Sequence, residues 1–546
     1  MTSTESSGKE LCPKPPSVFV RDATGLVRQI STLDALGMAL ADIGLLFVFN
    51  ATVFGPAFWP AANPIFTGLL GLFVMLPSVG VYTLMSIAMP RTGGDYVWVS
   101  RITRPSIGFT INVGLTAVVL SFIGIGTPTA SQWAIAEMFY DLGKVYGLQS
   151  YINIALWLQG AGVTFIIASV LCIVAAALVI ASTKLATAII RYWMYASFVV
   201  AIIFTITVLS AGTNTFISNF NALSGGNYNA VVTAGEQLGA YPGTPPALSS
   251  STLYAAAASS ALAYLGFNAP AYVGGEVRHV RKSQFIAQFG SVLIFALFAA
   301  WVTAVEYYGE GPAFANAVAI LWAQGSSSLP YLTTPLASGL SMFWTQNPAL
   351  IVLFNLSYVG VIEVFNIVVF LTFSRNLFAW SFDRIMPSAF ADVNEKTHTP
   401  VKAIVIMLIV SFVYVYMTIF QYGIMASYYS YGSAGEVIGV ALVSLAAMVY
   451  PFVRKDLFAS ADPIVKSRIF GVPLITILGA LTVLMSSIIV YAILLPTIGG
   501  VQFTTILVEG IIPTYIAGIV LFVIAWGARR RQGIDLGLIQ RELPPE

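Results

Sequence analysis

Residues 261–282 read ALAYLGFNAPAYVGGEVRHVRK. The run opens as a small, apolar helix suited to lipid. Gly266-Phe267-Asn268-Ala269-Pro270 then interrupts it, because glycine is conformationally loose and proline lacks the amide proton a helix needs. Glu276 follows, and Arg278, Arg281 and Lys282 mark the watery end. Breaking a helix in lipid leaves backbone N–H and C=O groups without partners, each at a cost of several kcal/mol. A break is tolerated where protein or a watery cavity surrounds it.

The rest of the chain supports a membrane setting. Of 546 residues, 58% are hydrophobic and 9% are charged, against about 25% charged in a soluble protein. Apolar runs of span length recur, and twelve are predicted: helices 1–12 at 31–58, 64–89, 107–138, 154–182, 185–211, 251–275, 285–308, 348–374, 401–420, 430–453, 472–495 and 504–527. The expected fold is an all-α polytopic membrane protein whose partners are the lipid bilayer and a small molecule. A net charge of +2 gives no sign of a nucleic-acid partner. Cys12 lies in the tail and Cys172 in a span, so no disulfide is expected.

Charge sets the orientation. Lys and Arg collect at one side of the spans: Arg91, Arg101, Arg104, Arg278, Arg281, Arg375, Arg384, Arg454 and Arg529–Arg531. Segments 212–250 and 309–347 on the other side contain none, and Lys144 is the one clear exception. The positive-inside rule then puts both termini in the cytoplasm. The first 30 residues hold no signal-peptide core. The expected location is the plasma membrane. The two outer segments, rich in Gly, Ser, Pro, Asn and Thr, read equally as mouth covers and as solvated linkers.

A second break lies in helix 1, STLDALGMALADIGLLFVFNATVFGPAFW over 31–59, where Asp42 and Gly44 fall mid-span. Helices 1 and 6 each open a block of five, giving a first repeat at 31–211 and a second at 251–453. Interrupted helices at corresponding positions of two halves point to a transporter's binding site. Freed N–H groups at a half-helix end hold a carboxylate. Freed carbonyls hold an ammonium or a cation, and an amino acid carries both charges. The candidate substrate-binding residues are therefore Ala41, Asp42, Ile43 and Gly44 with Gly266, Phe267 and Asn268. A tail (1–30), a transporter core (31–453), helices 11 and 12 with the preceding loop (454–527) and a second tail (528–546) complete the expected organisation.

Three stretches resemble the amino acid–polyamine–organocation superfamily of permeases. Pro90-Arg91-Thr92-Gly93-Gly94-Asp95-Tyr96 after helix 2 is similar to its Pro-x-x-Gly-Gly-x-Tyr signature. Gly266-Phe267-Asn268 with Glu276-Val277-Arg278 resembles its helix-6 break and downstream Glu-x-Lys/Arg. Ser374-Arg375 through Asp383-Arg384-Ile385-Met386-Pro387 to Thr399-Pro400 resembles the segment after its helix 8. The resemblance implies a five-plus-five inverted repeat with two added helices and substrate at the breaks of helices 1 and 6. Two stretches depart from the pattern. Ala41-Asp42-Ile43-Gly44 stands where a Gly-Ser-Gly type core is usual, and Arg278-His279-Val280 where Asn-Pro often follows the basic residue.

Single residues extend the expectation. Asp42, an acid in mid-membrane, is a functional candidate by location; it suits an ammonium, a coupling cation or freed N–H groups. Asp34 fits the start of helix 1. In the superfamily helix 8 faces helix 1 near a cation site, so Glu363, one turn from Asn366, is the ion-coupling candidate for H+ or Na+, and the alternative role is helix glue. Asn366 and Ser197 complete the ion-coupling candidates; Ser197 stands where some proton-coupled relatives have lysine. Phe267 reads as a lid or as packing. Arg101 and Glu276 suit a cytoplasmic gate of ion pairs, although topology and lipid headgroups also explain an arginine there. Glu137 and Glu436 are expected at the membrane interface. His279 and His398 fall in separate loops and make no metal site.

The function expected is secondary active transport of amino acids or related amines by alternating access, driven by a proton or sodium gradient. An exchanger without ion coupling and a permease-fold nutrient sensor are the alternatives; the tails, about 30 and 20 residues, are short for a sensor. No HExxH, Gly-x-Ser-x-Gly or nucleotide loop supports an enzyme, and no cofactor is expected.

Overall fold

The computed structural model describes residues 24–329, 335–420, 428–494, 506–541 and 543–544. Within them, eleven helices are long and apolar enough to cross a membrane. The predicted sixth span is divided instead into Ser250–Tyr264 and Ala269–Tyr272, followed by a short 3-10 turn at Gly274–Glu276. The break itself is what makes these pieces too short to count as spans.

Helix 1 is divided as well. It begins at Thr32, where Ser31 and Asp34 cap each other's backbone N–H groups, and runs to Ile43. Arg191 of helix 5 also donates to Asp34, at 2.6 Å, so the expected helix-start acid is an ion-pair partner too. Gly44, at φ 78°, ends the helix. A Cβ there would lie 1.9 Å from the Phe47 ring, so a side chain has no room. The chain continues as a 3-10 stretch, Leu45–Asn50, and a second helix, Ala51–Phe58.

Several spans outrun the hydrophobic runs that predicted them. Helix 3 passes from Pro105–Thr129 through a π-helical turn into Ala136–Tyr146. Helix 5 occupies Thr183–Leu223, with a kink at Gly212. Helix 8 runs Pro348–Phe382. The extra turns of helices 3 and 8 bear polar residues that protein surrounds, Asp141, Arg375 and Asn376 among them, whereas those of helix 5 carry exposed Asn214, Thr215, Ser218 and Asn221. Helix 1 packs against helices 5, 7 and 8, and helix 6 against helices 2 and 11.

The chain's described part starts at one face of the bundle, here the near face. On the opposite, far face, the predicted outer segments fold into Tyr228–Gln237, Pro312–Ala323 and Ser341–Trp344. Aromatic rings bind these pieces to helix 5: Phe220 lies 4.9 Å from Phe314, and Phe216 lies 5.0 Å from Trp344. Ala337 donates its N–H to Phe49 O of helix 1 at 3.3 Å. These contacts make the segments a packed cover, which favours the mouth-cover reading over the linker reading.

Candidate functional site

The two breaks meet. Gly266 has φ 108°, and a Cβ on it would lie 2.8 Å from both Asp42 C and Ile43 N. Only a residue without a side chain lets the helix-6 backbone come so near the helix-1 backbone. Ala41, Asp42, Ile43, Gly44, Gly266, Phe267 and Asn268 are all buried and converge here. Asp42 Oδ1 is buried without a hydrogen-bond partner. A carboxylate so placed draws a cationic group or holds a proton, since a buried lone charge is costly.

A polar network lies beside the breaks. Phe267 packs edge-on against Tyr82 of helix 2, with ring centroids 5.7 Å apart, and the Asn268 side chain reaches the Tyr82 hydroxyl. That hydroxyl donates to Asp95 Oδ2 at 3.2 Å, Tyr272 Oη donates to the same oxygen at 2.8 Å, and Asn112 Nδ2 donates to Oδ1 at 2.5 Å. Asp95 lies in Gly94–Ile102, the helix between helices 2 and 3. Burial pushes its carboxyl up to about 6, against the opposing pull of Tyr272, Asn112 and Tyr82. Glu436 of helix 10 lies within electrostatic range of both Asp42 and Asp95.

The Gly93-Gly94 turn explains why this network is held together. Gly93 N–H donates to Tyr272 O at 2.9 Å, and Thr92 bridges Val273. The turn after helix 2 is thus docked on the lower half of helix 6. It fixes Asp95 and Tyr272 in one place.

Glu363 lies elsewhere on helix 8. Both its carboxylate oxygens are buried and unpartnered, and its neighbour by electrostatics is Cys172 of helix 4. Asn366 is one turn on and accepts from Thr127 Oγ1 of helix 3 at 3.2 Å. Tyr358 and Phe365 make the aromatic contacts with Phe47 of helix 1, at 6.0 and 6.4 Å. Glu363 and Asn366 therefore share one neighbourhood, against helices 3 and 4. Ser197 bonds back to Trp193 O of its own helix at 2.9 Å, and no described contact joins it to Glu363.

At the near face, Glu276 forms a two-pronged, fully buried pair with Arg375 at 2.9 and 3.1 Å. Arg375 Nη2 also donates to Thr183 Oγ1 at 3.1 Å. Arg101 grips Asp383 at 2.6 and 2.9 Å, and Tyr96 Oη donates to Asp383 Oδ2 at 2.6 Å. The N–H groups of Gln29 and Ile30 both donate to Glu276 O at 3.0 Å. The chain before helix 1, the lower half of helix 6 and helix 8 are locked together.

A family model described as amino acid permease matches residues 30–523. The chain belongs to the amino acid permease family. A search of curated proteins gives no match. The permease is a multi-pass integral membrane protein and a transporter of amino acids or amines, not an enzyme.

Two acids of the permease are more enclosed than the sequence indicated, and two ion-pair partners carried no expected role. Glu137 and Glu436, expected at the membrane interface, are enclosed by protein at 1% and 6% exposure; segments beyond the hydrophobic runs cover the first, and the helix-1 and Gly94–Ile102 carboxylates lie within electrostatic range of the second. Arg375 and Asp383 stood in a quoted motif without a role. A charge at the end of so long an apolar helix was the available signal. Asp95 was visible only as the acid in the Gly-Gly-x-Tyr turn.

Proposed function

We propose that the permease binds a substrate with an ammonium group at the joined breaks of helices 1 and 6 and moves it by alternating access. The observations behind this are the close approach of the Asp42 backbone to Gly266 and the buried, unpartnered Oδ1 of the same residue. Asp42 receives the ammonium, the freed groups of Ala41–Gly44 and Gly266–Asn268 orient the remainder, and Phe267 and Tyr82 wall the site. Glu436 adds negative potential and favours amines and cationic amino acids over anionic ones.

The Glu276–Arg375 and Arg101–Asp383 pairs form the near-face gate. They break when helices 1 and 6 rock against the scaffold of helices 3, 4, 8 and 9. On this reading the halves at 31–211 and 251–453 are the two repeats, both termini are cytoplasmic, and the plasma membrane is the site of action. A proton or sodium gradient drives accumulation, with Glu363 and Asn366 as coupling residues and Asp42 as a second acid able to carry a proton.

Uptake of labelled amino acids and amines into proteoliposomes, under imposed sodium and pH gradients, tests this. Accumulation of an amine, driven by one gradient, supports the reading. Binding without flux or exchange under any gradient turns it toward a sensor.

A further inference from the structure

A second buried acidic centre lies at the far face, away from the joined breaks. Glu137 and Asp141 are one turn apart on helix 3, at 1% and 0% exposure. Like charges at this spacing repel, and neither acid forms an ion pair among the described residues. Lys144 does not reach them within ion-pair distance; its Nζ lies over the Tyr140 ring, 5.5 Å from the centroid.

Neutral oxygens from two other elements are brought to the same place. Asn355 of helix 8, fully buried, donates Nδ2 to Asp141 Oδ2 at 3.3 Å and to Ser338 O at 3.2 Å. Gly339 abuts Glu137, since a Cβ there would lie 2.9 Å from Glu137 Oε1. Ser338 and Ser341, in the same turn, are also fully buried. Five oxygens of this group have no hydrogen-bond partner: Glu137 Oε2, Asp141 Oδ1, Asn355 Oδ1, Ser338 Oγ and Ser341 Oγ. An orphaned buried oxygen is costly singly, and five in one neighbourhood, all hard donors, call for a shared partner.

We propose that Glu137, Asp141, Asn355 and the Ser338–Ser341 turn form a calcium site that pins the far-face cover to helices 3 and 8. The charge matches, since two carboxylates neutralise one divalent ion, whereas sodium would leave a net negative charge in apolar surroundings. Calcium accepts irregular shells of six to eight oxygens, and magnesium demands a strict octahedron and keeps its waters. The centre contains two acidic residues rather than the three or more of an all-acid site, so side-chain amide, hydroxyl and water oxygens complete the shell. Bound there, calcium holds Ser341–Trp344 against helix 5 and favours the closed far face.

The test uses the full chain in nanodiscs stripped of divalent ions. Terbium, a calcium-sized luminescent ion, is titrated in and excited through Trp344, three residues from Ser341, and Trp133, one turn before Glu137. The expected result is saturable luminescence displaced by calcium but not by magnesium or sodium, with a calcium-dependent rise in thermal midpoint. Glu137→Gln and Asp141→Asn should each weaken calcium binding by at least the ~10–100-fold that loss of a mere outer-shell partner causes. Should either variant fail to fold, the Ser338→Ala, Ser341→Ala double variant decides: weakened binding supports the site, and unchanged binding overturns it. Absence of saturable binding to the wild-type chain also overturns it, and so does stabilisation by acid alone with no response to calcium, the mark of a protonated carboxyl pair.

Discussion

Gly266 stands directly against Asp42: a Cβ on Gly266 would lie 2.8 Å from the Asp42 carbonyl carbon. The contact joins the breaks of two helices more than two hundred residues apart in the chain. The carboxyl of the same Asp42 is buried, with Oδ1 unpartnered.

Gly266→Ala should therefore damage both fold and function. A non-glycine residue at φ 108° carries strain of about 1–3 kcal/mol, before the contact with helix 1 is relieved. A lowered thermal midpoint and near-complete loss of uptake are expected. Gly162→Ala, where nothing lies within 4 Å of the new Cβ, is the matched control and should leave both unchanged.

Asp42→Asn should separate binding from folding. The variant removes an unpaired buried charge, so its thermal midpoint should equal or exceed that of the wild type. A charge-assisted hydrogen bond is worth about 1.5–3 kcal/mol, so KM for an amine substrate should rise by roughly 10–150-fold. Radiolabelled uptake measures the change, and Asp42→Glu should recover part of the affinity.

Removing one partner of the Glu276–Arg375 pair strands the other in a dry site. Arg375→Met should cost about 3–5 kcal/mol of stability. Adding Glu276→Gln should return much of that, because no buried charge is then left over. A double-mutant cycle in thermal unfolding gives the coupling, and additive losses would show that the pair does not act as a unit. The double variant should also leak at the near face, seen as faster labelling of cysteines introduced into helix 1.

Asp95 gives a pH signature. Its carboxyl, ordinarily at 3.8, is held at about 6 in the folded chain, so the folded state keeps the proton to higher pH. The stabilisation is complete below about 3.8 and is lost as pH rises through about 6. Wild-type stability relative to Asp95→Asn should fall across that window and stay flat above it. Thermal midpoints of the two proteins, measured from pH 3.5 to about 8, check the sign.

Much of the architecture was legible because lipid leaves few options. A span needs a long apolar run, and a break in one needs glycine or proline, so Gly44 and Gly266 could be read directly from the chain. The charge pattern likewise announced Arg101 and Glu276 at one face. Their partners, Asp383 and Arg375, lie far away in sequence; the packing of helix 8 on helix 6 joins Glu276 to Arg375, and the end of helix 8 meeting Gly94–Ile102 joins Arg101 to Asp383. The enclosure of Glu137 and Glu436 was not legible for a related reason. Position along a hydrophobic run reports depth in the bilayer, but burial at that depth depends on neighbours such as the Ser338–Ser341 turn. Glu363 shows the same limit on rotation about an axis: helix 8 was placed correctly as a span, while the facing of Glu363 toward Cys172 came from helix packing.

The central claim is that substrate binds at the joined breaks, and an Ala41→Cys variant in a Cys12→Ser background tests it most directly. Cys172, the other natural cysteine, is buried in helix 4. In proteoliposomes, an amine that the variant transports should slow maleimide labelling of the new cysteine, with half-protection near its KM for uptake. Labelling that proceeds at the same rate under saturating substrate, while uptake persists, would place the substrate elsewhere and contradict the account.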